Sequence, residues 1–208
     1  MNNKLASFRL NNSGDKRIFL FQHGETNWNA QKRVKGSEDV DTVFTDKGMK
    51  QIAELAKSLG EKKIEVIFAS DIKRARDSAI IANKNLNLPL FFHEELRAWD
   101  IGKFIGLSVE DFVNNAEVIE SFKNYDKPIP GGESINQLIA RLVAFIKKVT
   151  ASSRYKNIGM VTHSSTISNI NMAISENEYV DVASCELLFS DGKLKVIGSQ
   201  KIGIESGN

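Results

Sequence analysis

Residues 17–24 read Arg17-Ile18-Phe19-Leu20-Phe21-Gln22-His23-Gly24, a nearly unbroken apolar run that ends abruptly in polar residues. A short apolar run of this kind is typical of a strand that is buried on both faces. In open sheets of parallel strands, ligands bind in the crevice beyond the carboxyl ends of the strands. The run therefore predicts a strand of a parallel sheet, with His23 at the edge where a ligand would bind.

Other short apolar runs predict the rest of the sheet. Strands are expected at 66–69, at about 90–92 and at 158–161, and a hairpin is expected from 187–190 and 194–197. Asp191-Gly192 joins the two hairpin segments and is a residue pair favoured in two-residue turns. Two of the other strands also end in polar residues, Ser70-Asp71 and Thr162-His163-Ser164. Two of the three histidines are therefore expected at one edge of the sheet.

Helical patterns lie between these strands. One helix is expected to begin at Thr45-Asp46 and to end at Gly60, and Ser70-Asp71 is expected to cap the next. The clearest apolar stripe follows Glu133-Ser134, and a further helix is expected from about Ser165. Strands that alternate with helices predict an α/β fold, a three-layer α/β/α sandwich around a mostly parallel central sheet.

Composition limits the classes of function. The chain has 208 residues, enough for one domain, and its net charge of +2 is too balanced for a dedicated nucleic-acid binder. No run is long enough to span a membrane, and the polar N-terminus lacks a signal peptide, so a cytoplasmic protein is expected. The single cysteine, Cys185, excludes an intramolecular disulfide and is expected in the core. We predict a loosely ordered segment over 1–16, one domain over 17–208, and a lid-like insertion at about 96–130.

The polar residues after the first strand resemble a known motif. Gln22-His23-Gly24-Glu25-Thr26, followed by Asn29, closely resembles the Arg-His-Gly-Glu-Thr signature of the histidine phosphatase (phosphoglycerate mutase-like) superfamily. Further blocks occur in the order of that family: Arg33-x-x-Gly36, Thr45-x-x-Gly48-x-x-Gln51, Ser70-x-x-x-Arg74-Ala75, Pro130-Gly131-Gly132-Glu133-Ser134 with Arg141, and Val161-Thr162-His163. The resemblance runs from about Arg17 to Ile170 and rests on the ordered set, because each block alone is a weak match. It implies a phosphoglycerate mutase-like fold.

The resemblance implies a phosphate site whose nucleophile is His23, with His163 as the second catalytic histidine. Neutral imidazole attacks phosphorus readily, and phosphohistidine hydrolyses readily, so a two-step transfer is feasible. Arg74 offers a guanidinium fork for the phosphate oxygens, and Asn29 offers a neutral donor. Gln22, as a weaker substitute for an arginine, and Gly24 and Ser164 complete the expected phosphate-binding set. Gly24 lets the backbone approach the phosphate closely. No metal and no cofactor are implied.

The chain departs from the family pattern at the residue before the nucleophile. Gln22 stands where the family has an arginine that holds the phosphate. A charge-assisted hydrogen bond contributes about 1.5–3 kcal/mol, and a neutral one roughly half as much. If the lost charge acts on the transition state, the penalty is on the order of 10²-fold. The sequence leaves open whether Arg17 or Lys73 restores the missing charge.

A second departure concerns the proton donor. Many family members carry a glutamate that protonates the leaving oxygen, and the corresponding residue here is Ala98. Asp100 is the nearest replacement and is expected to be either the general acid or a structural loop residue. The role of Arg33 is also left open: its side chain either contacts the substrate or faces solvent. His93 lies outside every block and is expected to be structural.

The resulting prediction is a phosphomonoester hydrolase that acts through a phosphohistidine on a small phosphorylated substrate. Two alternatives stay open: a weak or inactive pseudophosphatase that binds a phosphorylated ligand or partner, and a phosphoglycerate mutase. The predicted partner is a small phosphorylated molecule, with no nucleic acid and no membrane, and a homodimer is left open.

Overall fold

The computed structural model describes residues 14–201 and contains one six-stranded sheet. The strands are β1 (Lys16–Gln22), β2 (Val66–Ser70), β3 (Leu90–His93), β4 (Asn157–Thr162), β5 (Val182–Ser190) and β6 (Lys193–Lys201). Their order across the sheet is β3-β2-β4-β1-β5-β6. The first four of these are mutually parallel, whereas β5 runs antiparallel to β1 and β6 antiparallel to β5. The mostly parallel sheet confirms the predicted fold class.

The helices surround this sheet. They are α1 (Asn27–Ala30), α2 (Asp46–Glu61), α3 (Lys73–Asn83), α4 (Val109–Val113), α5 (Ala116–Lys123), α6 (Ile135–Ser152) and α7 (Ser164–Ser175). Two short 3₁₀ turns, Glu94–Leu96 and Gly102–Phe104, interrupt the segment between β3 and α4. Among residues 14–201, no helix is both long enough and apolar enough to cross a lipid bilayer.

Alternate side chains of β1 supply both faces of the sheet with core residues. Ile18 and Leu20 are fully buried in a cluster that includes residues of α6 and α7. Phe19 and Phe21 are buried in a second cluster with residues of α2 and α3. Because both faces of β1 are covered by helices, the strand reads as an unbroken apolar run.

Local capping explains where two of the helices begin. The Thr45 hydroxyl accepts a hydrogen bond from the Gly48 N–H at 3.0 Å, as predicted for the start of α2. Ser134 forms a reciprocal capping box with Gln137 at the start of α6. The predicted end of α2 at Gly60 is slightly wrong, because the helix continues to Glu61.

The predicted cap of α3 is wrong. The N-cap residue of α3 is Ile72, which has no side-chain cap, and the helix begins at Lys73. Ser70 instead belongs to β2 and turns its hydroxyl toward His163. The predicted hairpin is confirmed: Asp191 and Gly192 both have positive φ, 50° and 76°, as a two-residue type I′ turn requires.

The segment between β3 and α6 has a small core of its own. Trp99, Phe104, Phe112 and Val118 are buried in one cluster, which also includes Leu138 of α6. The segment carries the short helices α4 and α5, and its lid role stays a prediction. Of the predicted loose N-terminal segment, residues 1–13 lie outside the described residues, and Lys16 already begins β1.

Candidate functional site

Two adjacent parallel strands bring the two predicted histidines together. Gln22 at the end of β1 pairs in register with Thr162 at the end of β4, so His23 and His163 leave the sheet side by side. Their ring centroids are 5.2 Å apart, and the ring planes are inclined by 67°. Both side chains are buried, with exposed fractions of 5% and 3%. The carboxyl edge of the sheet therefore holds a buried histidine pair, as the strand-end pattern predicted.

The backbone fixes the tautomer of His23. Nδ1 lies 2.7 Å from the Gly24 carbonyl oxygen, which only accepts, so Nδ1 carries the proton. Nε2 therefore keeps its lone pair in the neutral ring. Burial lowers the pKa of His23 well below its ordinary value, and the positive charges of Arg74 and Lys35 lower it further. The ring is neutral at physiological pH and available as a nucleophile.

His163 has one satisfied nitrogen and one orphaned nitrogen. Its Nε2 lies 3.0 Å from the Ser70 hydroxyl at the end of β2, whereas its Nδ1 is buried without a partner among the described residues. Burial lowers the pKa of His163 well below the ordinary value, with smaller contributions from Arg74 and His23. A buried polar atom that lacks a partner is costly, and a bound ligand would satisfy it.

Arg74 is a buried cation held by backbone carbonyls. Its Nη2 donates to the Gly36 oxygen at 2.7 Å and its Nη1 to the Glu38 oxygen at 3.2 Å, while Nε has no partner among residues 14–201. The side chain is 3% exposed, and burial lowers its pKa to about 10 although Asp39 opposes the shift. Two of the five N–H donors are used, so the fork keeps donors for an anion.

Asn29 and Gln22 differ in how well they are held. The Asn29 Oδ1 accepts from both the backbone N–H and the hydroxyl of Thr26, at 3.1 and 2.8 Å, which leaves the amide nitrogen as a donor. Gln22 is half-buried and makes no side-chain hydrogen bond with the described residues. Together with His23 it lines a cavity of about 530 Å³ between α2 and strands β1, β5 and β6.

Gly24 is constrained by packing. Its N–H donates to the Ser78 hydroxyl at 3.1 Å, and a Cβ at this position would lie 2.7 Å from the Gly48 oxygen and 2.8 Å from Ile52. The residue thus lets β1 and α2 approach closely, which is a different reason for glycine from the predicted approach to phosphate. Ser164 is the first residue of α7 and is half-buried.

The predicted acid, Asp100, lies in a loop beside a second cavity. Its Oδ1 accepts a hydrogen bond from the Gly102 N–H at 3.0 Å, and its own N–H donates to Glu133 at 3.1 Å. With Ser37, Arg97 and several further charged residues, Asp100 lines a cavity of about 260 Å³. Ala98, where the family has glutamate, is 5% exposed.

The cations considered from the sequence are engaged elsewhere. Arg17 pairs with Glu186 at 3.6 Å and Lys73 with Asp77 at 3.0 Å, and both side chains are largely exposed. Arg33 donates to the Gly106 carbonyl at 3.1 Å and lies over the Trp28 ring at 4.1 Å. The two cations left open for the missing charge, Arg17 and Lys73, are thus committed to surface ion pairs.

Sequence reasoning missed Lys35. This lysine is only 8% exposed, and burial together with repulsion from Arg74 lowers its pKa to about 7, while Glu25 opposes the shift. Its charge also lowers the pKa values of His23 and His163. The only signal in the sequence was its position inside the block Arg33-x-x-Gly36.

The third histidine fits its predicted structural role. The His93 ring packs against Phe145 and Phe68, with centroid distances of 4.7 and 5.7 Å. Across residues 14–201, no group of three or more His, Cys, Asp or Glu side chains is placed to hold a metal ion. Cys185 is buried in the core, and burial raises the pKa of its thiol to about 12, so it is unreactive at physiological pH.

The chain is similar to known proteins over most of the described residues. Residues 18–197 match the family model of the histidine phosphatase superfamily (branch 1). The Arabidopsis thaliana phosphoglycerate mutase-like protein 4 is 32% identical over 159 residues, covering 74% of this chain and 68% of the relative. An Arabidopsis thaliana metal-independent phosphoserine phosphatase is 30% identical over 165 residues, covering 76% and 68%.

Solved structures share the fold at lower sequence identity. Mycobacterial hydrolase 1 superposes with a TM-score of 0.77 over 91% of this chain and 100% of that chain, at 20% identity. A mycobacterial glucosyl-3-phosphoglycerate phosphatase in complex with VO3 superposes with a TM-score of 0.75 over 90% of this chain and 100% of that chain, also at 20% identity.

Proposed function

The chain belongs to the histidine phosphatase superfamily, and we propose that it hydrolyses a small phosphomonoester through a phosphohistidine formed at His23. The observation that carries the proposal is the hydrogen bond from the His23 Nδ1 to the Gly24 carbonyl oxygen, 2.7 Å long. It leaves the lone pair on Nε2, and burial of the ring, together with the positive charges of Arg74 and Lys35, lowers its pKa and keeps it neutral. A neutral imidazole beside fixed positive charge suits attack on a phosphate ester.

In the first step, the His23 Nε2 forms a bond to phosphorus while the bond between phosphorus and the ester oxygen breaks. Arg74 would hold the equatorial phosphate oxygens through its unused N–H donors, and the Asn29 amide would add a neutral donor. The buried Nδ1 of His163 would donate a further hydrogen bond, with Nε2 accepting from the Ser70 hydroxyl. Because these groups are already buried and fixed, little reorganisation is needed when charge develops.

The leaving oxygen needs a proton, and we assign that role to Asp100. One of its carboxylate oxygens already accepts the Gly102 N–H, which orients the group and leaves the other oxygen for a proton. In the second step, water forms a new bond to phosphorus, the bond between phosphorus and nitrogen breaks, and the Asp100 carboxylate takes a proton from the water. Inorganic phosphate leaves, and His23 is regenerated.

The site and the relatives support the substrate class that we propose. The relatives include a phosphoserine phosphatase, and a structure of the same fold is a glucosyl-3-phosphoglycerate phosphatase. We propose a small phosphorylated metabolite for this chain, with the segment at about 96–130 acting as the lid that selects it. This segment packs through Trp99 and Phe112 and carries Asp100.

Two alternatives follow from specific observations. Gln22 and Ala98 remove a family cation and a family acid, which favours a pseudophosphatase that binds a phosphorylated ligand without turnover. Some relatives are named phosphoglycerate mutase, which supports mutase activity as the second alternative. One of them, from Arabidopsis thaliana, is 25% identical over 241 aligned positions. A mutase would convert 3-phosphoglycerate to 2-phosphoglycerate, whereas a hydrolase would release inorganic phosphate.

The test is hydrolysis of a generic aryl phosphate from about pH 5 to pH 8, comparing the wild type with His23→Ala. His93→Ala is the matched control, because it removes a histidine that contacts Phe145 outside the site. We expect turnover in the wild type and the control, and none in His23→Ala. An alkali-stable, acid-labile phosphoprotein after rapid quenching would report the intermediate. Folded wild type without turnover would reject the hydrolase and favour the pseudophosphatase.

A further inference from the structure

We propose that Lys35 binds the phosphate directly and replaces the positive charge that Gln22 does not supply. This inference rests on the proposed phosphate site at His23, but it does not depend on turnover. It identifies a phosphate-binding residue at a position that the signature motif does not mark.

The backbone around Lys35 is fixed from two sides. Val34 exchanges hydrogen bonds with residues 106 and 107, its N–H donating to the Leu107 oxygen at 2.9 Å and its carbonyl accepting from the Gly106 N–H at 2.8 Å. On the other side, the Gly36 carbonyl holds the Arg74 guanidinium at 2.7 Å. Lys35 is therefore held next to the arginine that anchors the site.

The Lys35 side chain is buried without a counterion. It is 8% exposed, and no carboxylate lies within 4.0 Å of its ammonium among the residues that the structure describes. Glu25 is the acid that attracts it, and Glu25 already accepts from the Thr45 hydroxyl at 2.8 Å and pairs with Lys47. A buried cation that lacks a partner is costly, and a bound dianion would offset that cost.

The charges that face Lys35 also indicate where it points. Arg74 repels it, and its own charge lowers the pKa values of both His23 and His163. The site therefore combines four buried groups: two neutral imidazoles 5.2 Å apart, and two cations that lack ion pairs within residues 14–201, with Arg74 bonded to the carbonyl of the residue after Lys35. Arg141, another partly buried arginine, is by contrast neutralised by Glu133 at 2.6 Å.

The test is the affinity for sulfate, measured by calorimetry at about pH 6.5, because the sulfate dianion mimics phosphate without titrating near neutrality. The variants are Lys35→Met, Lys35→Arg and, as the matched control, Lys32→Met, which removes an exposed lysine three residues away. We expect Lys35→Met to weaken sulfate binding about tenfold or more, and the other two variants to bind nearly as the wild type does. Adding Gln22→Arg to Lys35→Met should recover most of the lost affinity.

A pH series separates contact from a merely structural effect. Because the pKa of Lys35 is about 7, wild-type affinity for sulfate should fall as the pH rises from about 7 to about 9, whereas affinity in Lys35→Met should stay level. The proposal is wrong if folded Lys35→Met binds sulfate as tightly as the wild type, or if both proteins show the same pH profile. Turnover that depends on His23 would then still support the hydrolase. Sulfate binding that depends on Lys35, without turnover, would reject the hydrolase alone.

Discussion

The rings of His23 and His163 meet edge to face, with centroids 5.2 Å apart. Neither ring is protonated near neutral pH, because both are buried and both lie near the positive charge of Arg74. The His23 backbone N–H donates to the Thr162 oxygen at 3.1 Å, so the sheet itself sets the spacing of the pair. Two neutral imidazoles in one pocket can take different roles, one as nucleophile and one as hydrogen-bond donor.

We expect the His23 ring to stay neutral at pH values well below its ordinary pKa. Side-chain nitrogen NMR should show the Nδ1–H tautomer of His23 and no protonation of either site histidine near pH 6.5, because burial and nearby cations lower both pKa values. A sample of the unfolded protein supplies the ordinary titration as the control. Protonation of His23 near pH 6.5, or an Nε2–H tautomer, would contradict the nucleophile assignment.

Restoring the family arginine should raise turnover. Gln22→Arg adds a charged donor beside the nucleophile, and kcat for an aryl phosphate should increase by about tenfold or more. Gln22→Met, which removes the amide at similar size, should lower kcat or leave it unchanged. The gain should be larger in the Lys35→Met background, because both cations would serve the same phosphate. No gain in either background would mean that the pocket is built around glutamine.

Lys35 should destabilise the folded protein in a pH-dependent way. Burial lowers the pKa of Lys35 from its ordinary value of 10.5 to about 7, so the destabilisation is complete below about pH 7 and fades as the pH rises toward 10.5. We expect Lys35→Met to increase the free energy of unfolding near pH 6 by an amount on the order of 5 kcal/mol at most. The gain should shrink toward pH 10, as measured by urea unfolding. A gain that is constant with pH would contradict a buried charged lysine.

Replacing Asp100 should slow the hydrolysis of substrates with poor leaving groups most. Asp100→Asn keeps an oxygen for the Gly102 N–H but cannot donate a carboxyl proton. We expect kcat/KM to fall about 10²-fold for an alkyl phosphate and much less for an aryl phosphate, whose leaving oxygen needs no proton. Asp126→Asn, which changes an exposed aspartate that contacts Asn136, is the control. Equal losses of kcat/KM with both substrates would show that Asp100 has a structural role and does not donate the proton.

Gly24 should be intolerant of any side chain. Gly24→Ala would place Cβ 2.7 Å from the Gly48 oxygen and 2.8 Å from Ile52, and the required shift should destabilise the protein by about 1–3 kcal/mol. Gly60→Ala is the matched control in α2, where the nearest atom is 3.9 Å away and alanine favours the helix. Thermal unfolding of both variants tests this prediction. Equal stability of Gly24→Ala and the wild type would show that α2 can move away from β1.

The elements of the fold could be read from local pattern. A strand covered on both faces must be apolar throughout, so the run ending at Phe21 predicted β1, and the capping residues Thr45 and Ser134 marked two helix starts correctly. The predicted cap at Ser70-Asp71 was wrong because β2 continues through Ser70 and α3 begins only at Lys73, with Ile72 as the N-cap residue. The Ser70 hydroxyl accepts the Ile72 N–H at 3.3 Å and also lies 3.0 Å from the His163 Nε2, a tertiary contact that no local pattern reveals.

Local sequence patterns were enough to predict the strands, most of the long helices and the meeting of His23 with His163, because parallel strands bring their carboxyl ends to one edge. Which cations lie at that edge depends on tertiary contacts. Arg17 and Lys73 form ion pairs with acids at the surface. Lys35 is instead buried next to Arg74, in a segment whose neighbouring residue Val34 is hydrogen-bonded through its backbone to residues 106 and 107, far along the chain. Burial and ion pairing depend on segments that meet only after folding, and charge at this site depends on both.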